Sequence, residues 1–204
     1  MKCNHLSKQA LNIDDDERLL LKRLRSESEK KRAFHQLVDL YKEPLYWHIR
    51  HMVKHHDDAD DVLQNTFIKV FRYIDDFKGN SKLYSWMYRI ATNESKTFLT
   101  RKAKRSKLSS RELQERLTES LKSDPYFEGG AIEQQLHKAV DDLPEKQQLV
   151  FRMRYFQDLK FKEISEILEV SVTSLKTNYH HAQKKVKKTI GRGLNLLYDC
   201  ESNH

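Results

Sequence analysis

Residues 59–107 read ADDVLQNTFIKVFRYIDDFKGNSKLYSWMYRIATNESKTFLTRKAKRSK. Leu63, Phe67, Val70 and Ile74 recur at helical spacing and line one face of a helix with apolar groups. Asp61, Gln64, Asn65, Ile68 and Arg72 recur at the same spacing on the opposite face. Asp75, Asp76 and the run Lys78-Gly79-Asn80-Ser81 then interrupt the pattern. Asn80 or Ser81 is an N-cap candidate for the helix that follows. In that helix Leu83, Trp86, Met87 and Ile90 form the inward set, while Tyr84, Tyr88, Arg89, Asn93 and Lys96 face elsewhere. It runs out into Arg101, Lys102, Lys104, Arg105 and Lys107. Rings beside cations suit single-stranded nucleic acid, because bases stack on the rings and the phosphates are neutralised.

Upstream, residues 14–17 are all acidic and favour a helix start, where negative charge meets the positive end of the dipole. Leu19, Leu20 and Leu24 supply its buried side. Ala33, Phe34, Leu37, Val38 and Tyr41 form a second stripe. Pro44 is expected to start or kink a third segment, from Leu45 to about Lys54. Asp57 and Asp58 can cap the helix that carries Asp61. His48, His51 and His55 fall on one helical face, and an Asp at 57 or 58 could complete a metal site. With no Cys nearby, the reading preferred for them is surface histidines and no metal.

Downstream, Leu113, Leu117 and Leu121 form a weak stripe that Ser123-Asp124-Pro125 and Gly129-Gly130 break. A linker of this length spans roughly 30 Å as a coil, enough to approach one duplex turn. Helices resume near Ile132. Leu143-Pro144-Glu145 starts one whose apolar side is Leu149, Val150, Met153 and Phe156. Residues 160–168, a turn at Glu169-Val170-Ser171 and a helix from Val172 follow. There Leu175, Tyr179, Ala182 and Val186 point in, and Lys176, Thr177, His180 and Lys184 point out. Two helices around a three-residue turn, the second with a polar outer face, make a helix-turn-helix. The chain is therefore all-α: two small helical domains, 14–107 and 137–195, joined by a flexible linker over 108–136.

Composition agrees. In 204 residues, 33% are charged and the net charge is +8, which suits thin cores with long solvated faces. The positive charge gathers near residues 84–107 and 172–192, so a polyanion touched at two places is the expected partner. Solvated helix faces are the alternative, less favoured, account of either patch alone. Cys3 and Cys200 stand at opposite ends and suggest no disulfide framework, as in a reducing cytoplasm. No apolar run reaches 18 residues, so membrane insertion is not expected. No glycine-rich phosphate loop or nucleophile elbow is present, no cofactor is called for, and no enzymatic activity is expected.

The first stretch, Ala59-Asp60-Asp61 through Gln64 and Phe67 to Phe77-Lys78-Gly79-Asn80-Ser81 and Trp86-Met87-Tyr88-Arg89-Ile90-Ala91, resembles region 2 of bacterial extracytoplasmic-function (ECF) sigma factors. LPEKQQLVF, FKEISEIL and SLKTNYHHAQKKV resemble region 4 of the same family. The resemblance implies docking on core RNA polymerase by Asp61, Gln64 and Asn65, with Asn65 in place of a frequent acid. It implies that Lys78, Asn80, Ser81, Lys82 and Tyr84 hold a flipped base of the −10 promoter element. Arg89, Asn93 and Lys96 would hold the adjacent backbone or the last duplex pair. Trp86 is expected in the core rather than under a base. Arg154, Lys176, Thr177 and His180 would contact the −35 element, with His181 and Lys184 beside its phosphates.

Two departures from the family pattern bear on the second region. Glu169 stands where a glycine is usual, and Asn178 and Gln183 replace commonly basic positions. An anti-sigma factor is a partner the family often has. Because a helix-turn-helix alone is shared with many activators, the alternative is a stand-alone regulator whose N-terminal helices bind a protein or ligand.

Overall fold

The computed structural model describes residues 13–107, Glu112 and residues 131–201. Among them are eight α-helices and no strand. They are α1 (Ile13–Leu24), α2 (Lys30–Val53), α3 (His56–Tyr73), α4 (Leu83–Ser106), α5 (Ala131–Asp141), α6 (Glu145–Tyr155), α7 (Phe161–Leu168) and α8 (Val172–Glu201). A 3₁₀ turn at Ile74–Asp76 follows α3. Contacts split the chain into two compact units, one holding α1–α4 and the other α5, α6, α8 and the start of α7. The stripe at Leu113, Leu117 and Leu121 and most of the expected linker lie outside the described residues.

In the first unit α2, α3 and α4 pack pairwise and α1 lies on α2. Leu24, Leu37, Leu45, Ile49, Ile74, Leu83 and Met87 are fully buried. The α3 stripe falls as its spacing requires: Leu63, Phe67, Val70 and Ile74 are inside. Four expectations fail here. Leu19 is 56% exposed, and only Leu20 and Leu24 of its set are buried. Pro44 does not start a separate helix, because α2 runs through it. An interior proline costs about 3 kcal/mol. Leu45, Ile49 and Val53 lie beyond it, completely buried, and each contributes about 1.5–3 kcal/mol, so packing outweighs the break.

The third failure is the histidine face. His48 is 1% exposed. The Thr92 hydroxyl donates to the Tyr88 carbonyl at 2.8 Å, so at 2.9 Å it accepts from His48 Nε2. The ring also lies 4.9 Å from Tyr88. His48 is thus a core residue with a satisfied polar edge, while His55 sits outside α2 as the backbone N-cap of α3. The expected side-chain cap of α3 is absent as well. Asp57 and Asp58 instead lie in its first turn, where their charge meets the helix dipole.

The second unit closes around Ala139, Val140, Leu143, Phe151, Ala182 and Val186, with Leu136, Phe156, Tyr179 and Ile190 packed against them. Inside it lies a buried ion pair. Arg152 Nη2 donates to Asp141 Oδ1 at 2.7 Å, and Gln148 Nε2 reaches the same oxygen at 3.0 Å. Burial lowers the Arg152 pKa, an effect the Asp141 carboxylate opposes.

Candidate nucleic-acid interface

The outer face of α3 presents Asp61, Gln64 and Asn65 to solvent. Next to them on the same face are Ile68, 49% exposed, and Phe71, 40% exposed. Acid and amide groups around exposed apolar side chains suit a protein partner better than DNA. Phe71 packs edge-on to Phe34 at 4.9 Å, which fixes its ring.

Between Phe77 and Leu83 the chain forms a loop. Lys78, Asn80 and Lys82 are exposed and Ser81 half-buried. Gly79 takes φ +73, where a Cβ would be strained. Lys82 Nζ lies 5.7 Å from the centre of the Tyr84 ring, so a cation and a half-buried aromatic meet beside the loop. Asn93 and Lys96 are exposed further along α4, and Arg89 is half-buried. The helix start differs from expectation. Lys82 occupies the N-cap with no side-chain capping bond, and neither Asn80 nor Ser81 caps the helix. The Leu83 N–H instead donates to Glu17 Oε1 of α1 at 2.7 Å. Arg25 Nη2 donates to the Phe77 carbonyl at 2.5 Å, and Lys30 pairs with Asp75 at 2.5 Å. Nothing in local sequence signals these anchors, since each partner is at least 45 residues away.

The inward set of α4 also differs from expectation. Leu83 and Met87 are buried, but Trp86 and Ile90 are only partly so. Trp86 rests on Phe77 at 5.2 Å, beside the loop's first residue. Tyr88, expected to face elsewhere, is 4% exposed, and burial pushes its hydroxyl pKa above the usual range. Of the basic run, Arg101, Lys104, Arg105 and Lys107 are exposed, whereas Lys102 pairs with Asp58.

In the second unit α7 and α8 flank the turn 169–171. Glu169 adopts φ 58 and ψ 39, the left-handed conformation, although it is not glycine; its N–H bonds to the Ser165 carbonyl. The Ser165 hydroxyl donates to the Val170 carbonyl at 2.7 Å, and the Ser174 N–H donates to Ser171 Oγ at 3.3 Å. Glu163 accepts the Lys160 N–H at 2.8 Å and so closes the start of α7. Phe161 meets Tyr179 edge-on at 5.6 Å, joining α7 to α8. Leu175 and Ala182 are buried, and Lys176, Thr177, His180, His181 and Lys184 are all exposed or half-buried on the outer side. Arg154 is placed differently. Its Nη1 donates to Asp158 Oδ1 at 3.0 Å and to the Leu159 carbonyl at 3.2 Å, and its guanidinium covers the Phe161 ring at 5.7 Å.

Among the described residues no group of three or more His, Cys, Asp or Glu is arranged to hold a metal ion. No described helix is long and apolar enough to cross a membrane.

Comparison with known proteins decides what these two units are. The family model "Sigma-70 region 2" matches residues 37–105, and "Sigma-70, region 4" matches residues 133–194, together more than half of the chain. The chain belongs to the sigma-70 family. Its relatives place it in the ECF group. It is 27% identical over 176 residues to the RNA polymerase sigma-H factor of Pseudomonas aeruginosa, covering 78% of this chain and 87% of that one. It is 24% identical over 189 residues to the ECF RNA polymerase sigma-E factor of Salmonella typhimurium, covering 85% and 94%. Among solved structures, the sigma factor RpoE of Bartonella quintana, crystallised with the anti-sigma factor NepR, matches with a TM-score of 0.61 at 20% identity. That match covers 78% of this chain and 96% of the other. The stand-alone regulator lacks an explanation for the region 2 match, and the sigma-factor reading replaces it.

Proposed function

We propose that this ECF sigma factor binds core RNA polymerase and directs it to promoters by recognising −10 and −35 elements. What carries the reading is that one chain holds both a region 2 and a region 4 match, each on its own helical unit. Residues 14–107 act as the polymerase-docking and −10 domain, 108–136 as the tether, and 137–195 as the −35 domain. The protein performs no catalysis itself; it works in the bacterial cytoplasm, where core enzyme and DNA are.

The exposed α3 face with Asp61, Gln64 and Asn65 docks on the polymerase, and Ile68 and Phe71 supply its apolar centre. The 78–82 loop with Tyr84 holds an unstacked −10 base, and Arg89, Asn93 and Lys96 hold the neighbouring backbone. Lys176, Thr177 and His180 read bases in the major groove, while His181 and Lys184 neutralise phosphate. Arg154 contacts the −35 DNA from beside the connection ahead of α7, which it braces through Asp158 and Leu159. Unstacking a base costs a few kcal/mol, too much for so small a loop alone, so opening requires the polymerase. An anti-sigma factor of the kind seen with the Bartonella protein is a further partner, covering the exposed faces of both units.

Purified chain added to core polymerase and genomic fragments should yield transcripts from discrete starts, and Asp61→Lys should weaken polymerase binding. Permanganate reactivity of promoter thymines with the chain alone would contradict the division of labour.

A further inference from the structure

The loop proposed to hold the −10 base is clamped at both ends by a segment that carries none of the DNA-reading residues. At its exit, α4 has no cap of its own, yet Leu83, its first residue, is fully buried. A buried backbone N–H at a helix start needs an acceptor, and Glu17 supplies it from α1 at 2.7 Å. The same carboxylate brings negative charge to the positive end of a 24-residue helix. At the loop's entry, Arg25 holds the Phe77 carbonyl at 2.5 Å and Lys30 holds Asp75 at 2.5 Å. Between the clamps lie Lys78 to Lys82, five residues that include Gly79 in a conformation few other residues adopt. Glycine leaves such a loop many conformations unless its ends are fixed. Fixing both ends is what these three side chains do.

We propose that Glu17 is a positioning residue for −10 recognition: by capping α4 from a distance it fixes where the 78–82 loop ends, with Arg25 as its counterpart at the entry. The inference rests on the reading that this loop holds the −10 base. Glu17 touches no DNA in this scheme. Its removal therefore loosens which base is accepted, and leaves the α3 docking face and the helix-turn-helix untouched.

The test uses the full-length chain with core polymerase on two promoter libraries, one randomised over the −10 region and one over the −35 region. Glu17→Ala should flatten base preference at −10 by about fivefold or more, the lower end of what one wrong base costs. Preference at −35 and affinity for core polymerase should stay at wild-type values. Glu17→Gln, which keeps an acceptor oxygen, should recover part of the preference. A cap that mattered only for stability would lower the melting temperature of Glu17→Ala and leave its −10 preference intact, and that result overturns the proposal. Equal flattening at −10 and −35 overturns it too. If Glu17→Ala fails to fold, Arg25→Ala takes its place, with the same result expected and the same result overturning the proposal. Asn80→Ala separates two failures. Lost preference there with none in Glu17→Ala sinks the positioning role alone, and no loss in either sinks the loop reading beneath it.

Discussion

The two turns proposed to face DNA are built by opposite means. The helix-turn-helix is stitched by neighbours: Glu163 to Lys160, Ser165 to Val170 and Ser171 to Ser174 are all three to five residues apart. The 77–83 loop is held by Glu17, Arg25 and Lys30, which are 45 to 66 residues away. A locally stitched turn forms wherever its own helices form. A remotely clamped one exists only when α1 is seated, so its shape follows the tertiary structure of the whole unit. The expected difference is that −35 readout survives damage elsewhere, whereas −10 readout does not.

The largest effect should come from a buried contact in the second unit that is not local in sequence. Asp141→Ala takes the carboxylate from Arg152, whose side chain is only 4% exposed. Breaking such a buried pair costs about 3–5 kcal/mol. Circular dichroism should show an early unfolding step. Tryptophan emission should keep its wild-type transition, because Trp47 and Trp86 both lie in the first unit. A tryptophan transition that moves in step would break the separation of the two units.

Next is alkaline pH. Burial and then the nearby Glu17 charge push Tyr41 up to about 12 from 10.0, and burial holds Tyr88 above its usual value as well. The folded first unit thus keeps protons that the unfolded chain releases. Its stability is fully present below pH 10 and falls as pH rises toward 12. Tyr179 in the second unit is raised mainly by burial, which the Arg154 charge partly offsets. Tryptophan-monitored unfolding at about pH 9 and about pH 11, either side of the ordinary tyrosine value, should show the loss, and equal stability at both would refute it.

Smaller effects distinguish residues within one helix. Lys176→Ala should cost about 1–3 kcal/mol of discrimination at one −35 base pair, read from binding to substituted duplexes. Lys184→Ala should weaken all duplexes alike and lower the salt slope by about one; a sequence-selective loss would move it among the base readers. The smallest change is Glu169→Gly. An L-residue in the left-handed region is disfavoured by roughly 1–2 kcal/mol, and part of that gain is lost to the unfolded state's added freedom. A modest rise in the second unit's melting temperature is expected, and a fall would mean that the contacts of the Glu169 side chain outweigh the relief of its backbone.

The same contrast explains how much could be read from residues alone. Helical periodicity exposed α3's stripe, Leu63 to Ile74, and α8's, Leu175 to Val186, because a buried face imposes spacing on its own helix. The helix-turn-helix was legible because its stitching is local. Leu19, His48 and Tyr88 stand elsewhere than their spacing suggests because burial depends on which neighbour arrives, and those neighbours come from other helices. Asn80 and Ser81 looked like caps, yet a carboxylate from α1 took the place. Arg154 kept its expected position near the helix-turn-helix but is already engaged by Asp158, Leu159 and Phe161. Glu17 read simply as one of four acids at a helix start.

The interior face of α4 is made of Ser85, Ala91, Thr92 and Ser95 as much as of Leu83 and Met87, and all six are buried. The hydroxyls of Thr92 and Ser95 fold back onto carbonyls one turn earlier. They thereby behave as compact spacers between close helices, with their own polar atoms satisfied. Mutational tolerance at Ser95 should therefore be governed by volume before polarity, unlike Thr92, whose hydroxyl also serves His48. Alanine should be accepted at Ser95, while leucine there should drive the bundle apart, in a helix whose composition alone would suggest a forgiving, watery surface.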